Sequence, residues 1–88
     1  MNLEELRALL DEADKEIEKN FVKRMEISAK IAEYKEANGL PTTDPAREKI
    51  VLEKHANAVP QEFADYVKDL WTHLMRISRE YQNKKRGL

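Results

Sequence analysis

The 88-residue chain contains no cysteine, two glycines and three prolines. Without cysteine it has no disulfide, no thiolate nucleophile and no cysteine-type zinc site. So few breakers leave long uninterrupted stretches, and with no strand-like alternation these point to an all-helical fold. There is no excess of one charge either: 16 Lys+Arg stand against 17 Asp+Glu, for a net charge of −1. A nucleic-acid binder of this size would be basic. No apolar run approaches the ~20 residues of a membrane span, and the mean hydropathy is −0.79. The opening Met1-Asn2-Leu3-Glu4-Glu5-Leu6-Arg7 has neither a basic n-region nor an apolar h-region. No secretory signal is therefore read there, and the expected location is the cytoplasm. What is plentiful is charge, at 38% of residues against the ~25% usual in soluble domains. The length fits one domain, residues 1–88.

The breakers divide the chain into three helices, expected at about 2–38, 45–57 and 60–85. Asn2, with Glu5 three residues on, has the spacing of a capping box, and Asn38-Gly39 is a stop signal. Asp44-Pro45 opens the second helix with Asp44 as N-cap and proline at the first helical position. Pro60 opens the third. The first helix poses a length problem. Some 36 residues extend ~54 Å, whereas a compact chain of this size has a radius of gyration near ~12 Å. Such a helix overhangs a monomer, leaving its apolar stripe in water. A second copy packed on the same stripe removes that cost, so an interlocked homodimer is expected.

At 100° per residue, Leu6, Leu10, Ala13, Ile17 and Ile31 share one face of the first helix, yet Arg24, Ser28 and Lys35 fall in its middle. Arg7 lies at its edge. On the third helix Phe63, Val67, Leu70, Leu74, Ile77 and Tyr81 read as the buried face, with Tyr66 in the same stripe and Trp71 beside it. Ser78 sits on that face, with Gln82 on its flank near Trp71 and Met75. Arg47 and Glu48 occupy the first turn of the second helix. Cations on a core-facing seam require anions. One reading pairs Arg24 and Lys35 with Asp44, Glu48 or Asp69 inside the bundle. The other is an interhelical cavity for a small polyanion, with arginine suited to bidentate carboxylate contacts. Arg7, Ser78 and Gln82 favour the cavity, since simple ion pairing leaves them unexplained.

Other signals are weaker. His55 and His73 have no metal-ligand spacing, and no Ser-His-Asp order or glycine-rich phosphate loop is present. Lys84-Lys85-Arg86 can be read as a surface for an anionic partner, but as a complement to the negative end of the third helix it needs no partner.

A long first helix carrying Arg7, Arg24 and Lys35, followed by Asp44-Pro45-Ala46-Arg47-Glu48 and then Ser78 and Gln82, resembles the all-helical chorismate mutase family. The resemblance spans nearly the whole chain. It implies the isomerisation of chorismate to prephenate, toward phenylalanine and tyrosine. It further implies a three-helix chain interlocked into a homodimer with two equivalent sites, Arg7 reaching into the partner's site. In that arrangement Arg24 and Arg7 hold the two carboxylates, and Ser78 assists at the ring carboxylate. Lys35 and Gln82 face the ether oxygen, and Glu48 accepts from the ring hydroxyl. The helix start at Asp44 to Arg47 offers backbone donors. The rearrangement breaks one C–O bond and makes one C–C bond with no proton transfer or covalent intermediate, so no cofactor and no metal are implied. It needs a flexible dianion held in a near-attack shape and donors at the oxygen that gains charge. Two rival readings remain open: an isochorismate pyruvate-lyase-like enzyme of the same fold, and a non-catalytic helical dimerisation or regulatory module.

Overall fold

The computed structural model describes residues 1–88 and contains three helices and no strand: α1 (Leu3–Ala37), α2 (Pro45–Asn57) and α3 (Gln61–Arg86). The expected boundaries hold to within a residue at each end. Asn2 caps α1 by accepting the Glu5 N–H at 2.8 Å, with Glu4 and Glu5 in the positive first turn. At its other end the Leu40 N–H reaches back to the Lys35 carbonyl at 2.9 Å, and Gly39 N–H to that of Glu36 at 3.5 Å. This closure requires a left-handed residue, which Gly39 supplies at φ +65°. Asp44 accepts the Arg47 N–H at 3.1 Å to start α2. Gly87, at φ +72°, ends α3 much as Gly39 ends α1.

α3 packs against both α1 and α2, while α1 and α2 do not pack on each other. The space between them, floored by α3, is where the polar residues gather. The chain is long and thin, 54 × 25 × 15 Å with a radius of gyration of 16.0 Å, well beyond the ~12 Å of a compact chain this size. The N-terminal half of α1 projects as an overhang on which Leu10 is 61% and Ile17 66% exposed. No helix is long and apolar enough to cross a membrane.

The face that α3 buries differs from the expected one. Phe63, Tyr66 and Leu70 are exposed, and Val67, Leu74, Ile77 and Tyr81 are half-buried. Met75, Ser78 and Gln82 are the buried residues of α3, and Trp71 continues the same line. The reason lies in size. The buried residues of α1 are Ser28 and Ala32 and that of α2 is Ala56. Small side chains one turn apart let backbones approach closely, so α3 turns its narrow, half-polar seam to its neighbours. Phe63, Tyr66 and Leu70 stay outside, and the rest of the apolar stripe is only half-covered.

Candidate functional site

One cavity of about 270 Å³ lies among the three helices and the 38–44 loop. Its walls bring together Arg24, Lys35, Asp44, Arg47, Glu48, Ser78 and Gln82, which is every site residue named from the sequence except Arg7. Arg7 is absent from the lining and lies on the overhang of α1, about 25 Å along the axis from Arg24. Ile27, Ile31, Val51 and Met75 supply the apolar part.

Each polar wall follows from helix register. Arg24, Ser28, Ile31 and Lys35 are spaced 4, 3 and 4 along α1, a single face. Ser78 and Gln82 are one turn apart on α3. The Ser28 and Ser78 hydroxyl oxygens are 2.8 Å apart, joining α1 to α3 inside the wall. Gln82 Nε2 donates to Ser78 Oγ at 3.0 Å, and its Oε1 is buried with no partner. A half-turn of the amide interchanges these roles. Ser28 then donates to Ser78, Ser78 donates to Gln82 Oε1, and the Nε2 protons are left for a ligand acceptor. Gln82 thus always holds one unmet hydrogen-bonding group, and the fold leaves it for something else to satisfy.

Lys35 Nζ donates to the Thr42 carbonyl at 2.7 Å, with two more protons available. The loop that carries Thr42 is tied down by Arg86, whose Nη1 meets Thr42 Oγ1 at 3.0 Å and whose Nε meets Glu36 at 2.8 Å. The Arg24 guanidinium lies over the Trp71 ring, 4.9 Å from its centroid. His55 stacks on the same indole at 3.9 Å and 8° between planes. Burial lowers the Arg24 pKa from its ordinary value. Burial first, then the charges of Lys54, Arg24 and Arg47, lowers that of His55.

The carboxylates do not pair with Arg24 and Lys35. Asp44 caps α2, Asp69 lies 3.4 Å from His73 on the surface, and Glu48 takes Arg79 at 2.6 Å. The reading that pairs these cations inside the bundle is thereby overturned. Arg24, Lys35 and Arg47 have no carboxylate partner. With Arg79 they make four cations in the lining, against the two carboxylates Asp44 and Glu48, a surplus of two positive charges. That surplus makes the cavity electrostatically suited to a small anion. Sequence reasoning missed Arg79, Thr42 and the Trp71–His55 platform. Arg79 finds its partner 31 residues away, and no local spacing announces such a pair.

The sequence model of the chorismate mutase type II family matches residues 6–83. A relative from Haemophilus influenzae, named T-protein, is 30% identical over 84 residues, covering 93% of this chain and 22% of the relative. The chain thus spans under a quarter of that relative's length. No solved structure matches it significantly.

Proposed function

The chain belongs to the chorismate mutase type II family, and on that footing we propose that its cavity converts chorismate to prephenate by a 3,3-sigmatropic rearrangement, on the route to phenylalanine and tyrosine. The observation that carries the reading is the set of uncompensated cations, Arg24, Lys35 and Arg47, around one small cavity. A surplus of two positive charges, to which the partner's Arg7 would add a third, suits a substrate with two carboxylates.

The roles proposed are those that the family resemblance implies. Arg24, backed by Trp71, presents its guanidinium edge to one carboxylate. The partner's Arg7 takes the other in a homodimer, and Ser78 assists at the ring carboxylate. Lys35 and Gln82 aim donors at the ether oxygen, which gains negative charge as its bond to carbon lengthens. Glu48 accepts from the ring hydroxyl. The first turn of α2, from Asp44 to Arg47, adds backbone donors at the positive end of a helix. The cavity holds the flexible dianion folded so that the two carbons to be joined lie near each other. All the electrons move within the substrate, so the protein supplies shape and charge.

A homodimer is supported by the exposed stripe Leu6, Leu10 and Ile17 on an overhang that also carries Arg7. Adding chorismate to the purified protein and following the loss of its absorbance, with prephenate identified as product, tests the reading. No turnover of chorismate, or salicylate and pyruvate formed from isochorismate instead, overturns it.

A further inference from the structure

Arg79 has no place in the roles above, yet it lines the same cavity. Its Nη1 donates to both carboxylate oxygens of Glu48, at 2.6 and 2.7 Å. The pair bridges α3 to α2, and both side chains are more than two-thirds buried. Its setting is unusual. Glu48 shares the cavity with three cations that have no carboxylate of their own, Arg24, Lys35 and Arg47. Asp44 is already engaged as the α2 cap. Arg79 is the one side chain that bonds the Glu48 carboxylate, so in its absence Glu48 is the lining carboxylate able to swing onto one of those cations and neutralise it.

We propose that Arg79 is a positioning residue which holds the Glu48 carboxylate against the α3 wall and so keeps the anion-binding cations of the cavity open to the ligand. Without Arg79, Glu48 occupies the place of an incoming carboxylate, and the ligand must displace it. The proposal rests on the reading of the cavity as a dicarboxylate site.

The test uses the full chain and a chorismate analogue that keeps both carboxylates but lacks the ring hydroxyl, so that Glu48 has nothing to accept from it. Arg79→Met weakens binding of this probe about tenfold, the scale of one charge-assisted hydrogen bond. Adding Glu48→Gln to Arg79→Met removes the competitor and restores binding to within about threefold of the parent. Glu48→Gln alone leaves the parent's affinity within the same margin, because Arg79 already holds that carboxylate aside. Arg79→Lys retains most of the affinity. A double variant as weak as Arg79→Met, with helical content intact, overturns the proposal, because Arg79 then touches the anion itself or serves the fold. Tighter binding on Glu48→Gln alone, as large as the loss on Arg79→Met, also overturns it, since that pattern is a diffuse effect of net charge. A parent that does not bind the probe removes the dicarboxylate reading along with it. A parent that binds, with no recovery in the double variant, removes the role of Arg79 and leaves the reading standing.

Discussion

Gln82 and Ser78 share one hydrogen bond of 3.0 Å, and the other end of the amide is buried and unmet; with the amide turned so that Ser78 donates to Oε1, that free end is the Nε2 donor. An amide does not titrate, so a contact from it to the ether oxygen sets no acidic optimum. Gln82→Glu keeps the shape, but an ionised carboxylate has no proton to donate and repels developing negative charge. The bound dianion favours the protonated form of the new side chain, while Lys35 opposes it. Gln82→Glu is expected to lose activity at neutral pH and to regain much of it toward pH ~5, while the parent changes little. The measurement is kcat/KM for both proteins from about pH 4.5 to 8, with folding checked at each point. Parallel profiles would remove Gln82 from the breaking bond.

Lys35 is oriented by the Thr42 carbonyl and not by a carboxylate. In the role proposed for it, its full charge is therefore available as the ether oxygen becomes negative. Lys35→Ala is expected to lower kcat ~10²–10³-fold, as loss of one such donor does elsewhere. A change confined to KM would instead mean that Lys35 binds substrate and transition state equally.

The overhang of α1 and the outer side of α3, where Leu70 is 54% and Tyr66 76% exposed, leave apolar surface in water that the proposed dimer would cover. Dilution should lower the thermal midpoint, since folding and association are then one equilibrium. Sedimentation that found a folded ~10 kDa monomer at micromolar concentration would contradict the dimer.

Arg7 lies outside the cavity of its own chain. Arg7→Ala and Arg24→Ala proteins should each be nearly inactive, yet mixing and refolding them together should recover activity. In the heterodimer one site holds both arginines and the other holds neither. Proven heterodimers without recovery would take Arg7 out of the shared site.

His55 has a pKa held below its ordinary value by burial and then by Lys54, Arg24 and Arg47. A histidine whose folded value is lowered favours the folded state in its neutral form. Its contribution is therefore intact above the unfolded value of ~6.5 and is lost as pH falls from there through the folded value. His55→Phe keeps a flat ring beside Trp71 and cannot take a proton. Melting curves between pH 5 and 7.5 should fall less steeply with acid for His55→Phe than for the parent. Identical slopes would show that His55 protonation is not felt by the fold.

The sequence by itself determined the helices and their ends. Asn2, Gly39, Asp44-Pro45 and Pro60 act through the backbone within a few residues of themselves, so their effects could be read locally. It also placed Arg24, Ser28 and Lys35 on one face, because helix register is arithmetic. Tertiary structure alone decided which stripe of α3 turns inward. The apolar count centred the buried face on Phe63, Leu70 and Leu74 with Ser78 on it and Gln82 on its flank; Ser78 is indeed buried, but its buried companions are Met75 and Gln82, on the side that comes closest to Ser28, Ala32 and Ala56. It alone decided that Glu48 belongs to Arg79, leaving Arg24 and Lys35 without a carboxylate partner. Charge pairing depends on distance in space, and residues 31 positions apart in the chain carry no sign of it.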